Sequence, residues 1–192
     1  MTQQPPKEPT ANAAAPAAEV KELPIGHFGQ FLKDLGISST RLPDSLGVAG
    51  PVENIELKPE DLEQAMKRLR TSSETRLNFL IMVSGVDSPD TFDSVYHLTS
   101  YEVHNSELVV KVRIPKSSVK EGQLPCVPSI TPSWPAANWH EREEFDLVGI
   151  KYFGHPYLRR LMNPWDWEGH PLRRDYKQPV DALNDKNPHS MR

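Results

Sequence analysis

Proline limits what this chain can fold into. Nineteen of its 192 residues are proline, and in the second half they fall where a long helix would have to run. Pro125, Pro128, Pro132 and Pro135 recur every three or four positions. A proline inside a helix removes a backbone donor and clashes with the preceding turn, so Leu124 to Trp134 reads as an extended connector. Pro135 can instead open a helix, where its missing N–H is not needed. That helix is expected to run to about Leu147 and to end at Gly149. Further on, Pro156, Pro164, Pro171 and Pro179 cut the tail into short pieces. The last third is therefore one helix and an irregular arm.

The first 120 residues carry the periodic patterns. Phe28, Phe31, Leu32 and Leu35 fall at i, i+3, i+4 and i+7, which predicts a helix over His27–Leu35 stopped by Gly36. Asn54 to Leu57 reads as a short strand with Ile55 and Leu57 on one face. Pro59 to Arg70 is a helix with acids at its start, bases at its end, and a buried stripe of Leu62, Met66 and Leu69. Leu77 to Ser84 is apolar almost throughout, which predicts a central strand covered on both faces. Ser94 to Val103 and Leu108 to Ile114 read as two more strands joined by a turn at His104 to Glu107, with His97 on a sheet face.

The fold class is thus α+β: a small sheet with packed helices, then a helix and a long irregular arm. Residues 1–24 form a Pro/Ala-rich lead with few large apolar side chains, expected to be disordered. Residues 25–120 form the α+β domain, expected to stay folded in a chain cut after Leu124. Residues 121–192 form the signature helix and an extended arm.

Composition narrows function by exclusion. Net charge of −4 argues against a general nucleic-acid binder. The single cysteine, Cys126, excludes an intrachain disulfide and a cysteine-held cluster or structural zinc. No phosphate-cradling glycine loop is present, so no nucleotide is expected. No apolar run approaches the ~20 residues that span a bilayer.

The chemistry gathers in Trp139–Tyr176, WHEREEFDLVGIKYFGHPYLRRLMNPWDWEGHPLRRDY. On its helix, Ala137, Glu141, Phe145 and Val148 share a face, an unusual place for a carboxylate. Arg142 and Asp146 are spaced to pair at i, i+4. Buried ions cost several kcal/mol each unless paired, so counter-charges from a partner are expected. His140, Glu141 and Glu144 approach a zinc-hydrolase spacing, with Glu144 where the second histidine would stand; a stand-alone metallohydrolase is the distant alternative.

Glu141-Arg142-Glu143, then Asp146, Leu147-Val148, His155, Arg159 and Leu161-Met162, followed by Asp166-Trp167-Glu168-Gly169-His170-Pro171-Leu172-Arg173-Arg174-Asp175-Tyr176, resembles the signature of the 30-kDa-type subunit of respiratory complex I. The resemblance covers about forty residues. It implies a cofactor-free core subunit of the peripheral arm of a proton-pumping NADH:quinone oxidoreductase, with no active site of its own. The implied partners are the quinone-site subunit and the terminal iron–sulfur subunit of the same complex, with membrane contact only through the complex. Iron–sulfur clusters, and FMN where NADH is the donor, would belong to other subunits. The implied place is the cytoplasmic face of a bacterial or organellar energy-transducing membrane. Ferredoxin- or other donor-dependent quinone oxidoreductases and membrane-bound hydrogenases carry equivalent subunits and stand as the alternative. Partner contacts are expected from Glu141, Arg142, Glu143 and Asp146 on the helix, His155, Arg159 and Arg160 at the arm's base, and Trp165, Trp167, Arg173, Arg174 and Tyr176 farther out.

Overall fold

Alternate residues of one strand fill the centre of the molecule. In β5 (Glu107–Pro115) Leu108, Val110, Val112 and Ile114 are buried and the residues between them are not. Such alternation puts one face on the core and one toward water. The computed structural model describes residues 23–43, 52–103 and 106–177, so the expected lead falls almost wholly outside the described residues. β5 runs parallel to β2 (Glu53–Leu57) and antiparallel to β4 (Thr91–Thr99). β1 (Ser39–Leu42) extends the sheet beyond β2, and β3 (Phe79–Asp87) beyond β4, giving the order β1-β2-β5-β4-β3. The register sets Ile55 and Tyr96 on either side of Val110.

Helix α1 (His27–Asp34) buries Phe28 and Leu32. A short 3₁₀ turn at Pro59–Asp61 leads into α2 (Leu62–Thr71), which buries Leu62, Ala65, Met66 and Leu69. All of these join one hydrophobic cluster with the sheet. Each fully buried aliphatic side chain contributes about 1.5–3 kcal/mol.

Two strands differ from expectation. The apolar run beginning at Leu77 forms β3, which lies at the sheet's edge and leaves Phe79, Ile81, Met82 and Val86 exposed. A continuous apolar run fits a strand buried on both faces, but pattern alone does not fix a strand's place in the order. β4 starts at Thr91 and ends at Thr99, because Phe92 packs into the core while Tyr101 turns outward. The predicted turn includes residues 104 and 105, which lie outside the described residues.

The core does not stop at residue 120. Val127, Ile130, Trp134, Ala137, Val148, Ile150 and Tyr152 belong to the same cluster. They come from β6 (Cys126–Pro128), the loop after it, helix α3 (Ala137–Leu147) and β7 (Lys151–Phe153), which pairs parallel to β6. The extended connector thus contains a three-residue strand. A cut after Leu124 removes these side chains and uncovers the surface they fill. α3 packs against β3, and Gly85 permits the approach. A Cβ there would lie 2.4 Å from a Glu144 oxygen and 3.1 Å from Ile150.

Candidate functional site

Three carboxylates on α3 point into the protein. Glu141 is fully buried; its Oε2 accepts the Ser129 hydroxyl at 2.6 Å and its Oε1 the Ile130 N–H at 2.8 Å. Glu144 is also buried and accepts the backbone N–H of Gly85 on β3. Burial pushes both carboxyls up to about 7, against the lowering effect of these hydrogen bonds. α3 is therefore latched on one side to the loop after β6 and on the other to the sheet's edge strand.

Asp146 holds the arm. Its Oδ2 accepts the backbone N–H groups of Leu161, Met162 and Asn163 at 2.9, 2.7 and 2.8 Å. Its Oδ1 takes the Asn163 side-chain amide at 2.9 Å and Arg160 Nη1 at 2.7 Å. Burial alone would raise this carboxyl, but the donors from Asn163, Arg160 and Met162 outweigh it and hold it down at about 2. The expected Arg142–Asp146 pair gives way to Arg160–Asp146. Five donors converge on it from the arm, and Arg142 turns instead to the Trp139 and Tyr157 rings and the carbonyls of Arg159 and Arg160.

The rest of the arm binds the carbonyl end of α3. His170 Nδ1 lies 3.0 Å from the Asp146 carbonyl, and Leu172 N–H donates to Leu147 at 2.9 Å. Arg173 donates to the carbonyls of Val148 and Gly149, at 2.7 and 3.2 Å. Cations belong at this end because the last carbonyls of a helix have no partner within it and carry partial negative charge. Gly149, at φ +79°, ends the helix and leaves room for the arm: a Cβ there would sit 2.5 Å from His170. Arg160 also reaches the Gly169 carbonyl, and the Arg174 N–H binds Asp87. Counter-charges thus come from within the chain.

On the outer side of α3 the order reverses, and aromatic rings hold the cations. The Arg142 guanidinium stands 5.2 Å from the Trp139 ring and 5.8 Å from Tyr157, and Arg159 stands 4.3 Å from Tyr157. Arg142 also donates to the carbonyls of Arg159 and Arg160. His155 donates from Nε2 to the Asn138 carbonyl and accepts the Tyr157 N–H at Nδ1. Burial lowers its pKa, and those two bonds fix its neutral tautomer. Trp139, Phe153, Tyr157, Met162 and Trp165 are exposed, Trp165 by 81%.

Residues 55–181 match the family described as "Respiratory-chain NADH dehydrogenase, 30 Kd subunit". The chain belongs to that family. Among relatives of this 30-kDa-type subunit, it is 41% identical over 142 residues to an NADH-quinone oxidoreductase subunit of Roseiflexus sp. (strain RS-1), spanning 70% of this chain and 76% of that one. With an NADH-quinone oxidoreductase subunit of Ruegeria sp. (strain TM1040) the identity is 40% over 154 residues, 77% of this chain and 73% of the other. The fold is shared with a chain of the membrane-bound sulfane sulfur reductase, an archaeal respiratory membrane complex. That match has a TM-score of 0.62 at 20% identity, over 82% of this chain and 87% of that chain.

In this 30-kDa-type subunit the twelve expected contact residues divide by direction. Glu141, Asp146, Arg160 and Arg173 spend their polar groups inside the chain. Arg142, Glu143 and His155 are half-buried, while Arg159, Trp165 and Arg174 reach solvent. Trp167 and Tyr176 are partly covered, and their Nε1 and Oη atoms are buried without a hydrogen-bond partner among the described residues. Sequence reasoning missed Glu144 as a latch and Tyr157 as the ring between two arginines. The Arg142-to-Tyr157 spacing carries no helical signal, since the chain turns at β7 between them. His140, Glu141 and Glu144 do not assemble: among the described residues no three His, Cys, Asp or Glu side chains group to hold a metal ion, and both Glu141 oxygens have donors. No helix among the described residues is long and apolar enough to cross a membrane.

Proposed function

We infer that this chain is a cofactor-free core subunit of the peripheral arm of a complex I-type NADH:quinone oxidoreductase. It carries no active site of its own. It supports assembly of the quinone-site and terminal iron–sulfur subunits, and so electron transfer from NADH to quinone coupled to proton translocation. The clusters and flavin sit in other subunits, and the chain meets the membrane only through the assembly, on its cytoplasmic side.

The observation that carries this reading is the division of labour in the family's signature segment. Asp146 and two arginines of the segment hold a shaped arm against α3, and that arm presents Tyr157, Arg159 and Trp165 outward. Exposed Trp, Tyr and Arg together are the composition of protein contact surfaces. Arg159, Trp165 and Arg174 are the arm's outward contacts, with Arg142, Glu143 and His155 at the helix edge. Asp146, Arg160 and Arg173 serve the contact indirectly, by fixing the arm's shape, and Glu141 by latching α3 to the loop after β6. Residues 121–192 are thus the partner-binding part, and its helix also completes the core.

The test is affinity purification of the tagged full chain from its own cells, with peptide identification of the bound subunits. Recovery with the quinone-site and iron–sulfur subunits is expected. Recovery as a lone monomer, with NADH:quinone activity unchanged after deletion of its coding sequence, would refute the reading.

A further inference from the structure

The segment Trp139–Arg160 is electrically balanced in sequence, with four acidic residues (Glu141, Glu143, Glu144, Asp146) and four basic ones (Arg142, Lys151, Arg159, Arg160). Folding breaks the balance. Glu141, Glu144 and Asp146 are all buried, and Asp146 takes Arg160 with it as an ion pair. Arg142, Lys151 and Arg159 still reach solvent, against Glu143 alone. Two of those cations are held in place by aromatic rings, in the ladder Trp139–Arg142–Tyr157–Arg159. Stacking restrains a guanidinium without neutralising it; Arg142 spends Nε and Nη2 on the carbonyls of Arg159 and Arg160 and keeps Nη1, while the exposed Arg159 offers its N–H edge to an anion.

Beside the ladder runs a groove of about 350 Å³, walled by Pro132, Pro135 and Pro156 with Thr131, Asn138 and Gly154. Asn138 precedes Trp139 and Pro156 precedes Tyr157 in the chain, and His155, beside Pro156, bonds the Asn138 carbonyl, which ties the groove's two walls to the segments that carry the ladder. Its prolines make it stiff before any partner arrives, which lowers the ordering cost of binding. Exposed Phe153 stands at its edge, next to Gly154.

We propose that the Trp139–Arg142–Tyr157–Arg159 ladder and the proline-walled groove beside it form one preformed docking site for an acidic patch of the quinone-site subunit, a carboxylate meeting the arginines and an apolar side chain entering the groove. The proposal rests on the function inferred above and names the chemistry of the surface that this chain meets. The uneven charge left by folding selects an anionic partner, and the groove adds an apolar requirement that a diffuse cationic surface would lack.

The experiment measures association of the full chain with the purified quinone-site subunit at increasing salt, for wild type, Arg159→Glu, Tyr157→Ala and Lys120→Glu. Lys120 is an exposed cation after β5, outside the site, and supplies the same change of charge. Circular dichroism of each variant reports folding separately, since the Arg159 side chain is exposed and stacks on the Tyr157 ring at the surface. The expected result is a wild-type association rate that falls with salt, a roughly tenfold slower rate for Arg159→Glu at low salt, and Lys120→Glu like wild type. Tyr157→Ala should mainly speed dissociation. Equal, salt-independent binding by all four proteins overturns the site while leaving the inferred function intact. No binding by wild type overturns both. In parallel, vesicles of phosphatidylglycerol and phosphatidylcholine replace the protein partner; the same Arg159 dependence there, without it on the quinone-site subunit, overturns the proposal in favour of a lipid surface.

Discussion

The sheet and the arm are held together by opposite means. Around β5, stability comes mainly from apolar packing: alternate positions of β5, Ile55 and Leu57 of β2, and Phe92, Tyr96 and Leu98 of β4 share one cluster with α1 and α2. At the end of α3 it comes from directional bonds: Asp146 alone accepts from three backbone amides, one side-chain amide and one guanidinium. Apolar packing tolerates changes that conserve volume. A polar clasp does not, because removing one acceptor leaves several donors buried and unpaired. The sheet should therefore weaken by degrees under substitution, and the arm should fail at single residues.

Asp146→Ala breaks the comparison most directly. It strips the acceptor from Arg160 and from residues 161–163, which should cost the arm about 3–5 kcal/mol of opening free energy. Hydrogen exchange on the full chain should show the amides of 161–163 losing protection while β4 and β5 keep theirs. Leu98→Ala, in the core, should cost about 2–5 kcal/mol but lower protection through the sheet. If both variants lost protection uniformly, the two regions would be one cooperative unit and the contrast would collapse.

The pH dependence separates the same regions by sign. Glu141 and Glu144 ionise in the fold near 7, above their ordinary 4.5, because burial disfavours their charge. The folded protein then binds protons more tightly than the unfolded one. Their contribution is complete below 4.5 and is lost as pH rises through 7, on the order of 3 kcal/mol for each group. Asp146 is held near 2, below its ordinary 3.8, so its contribution is present above 3.8 and is lost as pH falls through 2. Denaturation of the full chain should show greatest stability between about pH 4 and 5. Replacing Glu141 and Glu144 by Gln should flatten the upper slope only, and an equally steep slope in that double variant would refute the assignment.

What could be read from the residues follows from the same contrast. α1, β2 and α2 were legible because apolar periodicity, an N-terminal proline and ordered end charges all agree there. The placement of α3 was legible from Pro135 and Gly149. The edge position of β3 was not, since pairing order is decided by segments distant in sequence. Nor were the partners of Glu141 and Asp146: Ser129 stands twelve residues away and Asn163 seventeen, with no repeating spacing between them. The resemblance marked these acids as important, but it could not show that they face inward.

Gly85→Ala tests the junction between the two regions. α3 approaches β3 so closely there that a methyl group would meet the Glu144 carboxylate and the Ile150 side chain. The packed Ile150 and the hydrogen-bonded Glu144 must both shift, at about 1–3 kcal/mol. Thermal unfolding should register this as a lower midpoint. The double variant Gly85→Ala with Glu144→Ala should recover part of it, by removing the group that is struck. No recovery would place the strain on Ile150 alone.

The smallest expected effect comes from an ion pair that looks, by composition, like the one at Asp146. Arg76 and Glu102 bridge the segments at the start of β3 and the end of β4, and each side chain is about half exposed (51%). Water and salt already solvate both charges, and holding two long side chains in one geometry costs entropy, so Arg76→Ala should change stability by less than about 1 kcal/mol. In Arg160–Asp146 the side chains are 16% and 0% exposed, and Arg160→Ala should cost about 3 kcal/mol, since it strands a buried carboxylate. Raising salt to about 1 M should erase the effect of Arg76→Ala and leave that of Arg160→Ala nearly unchanged, because screening acts on solvated charges far more than on buried ones. Equal costs, or equal salt sensitivity, would mean that the arm's clasp opens to water as freely as the rim of the sheet.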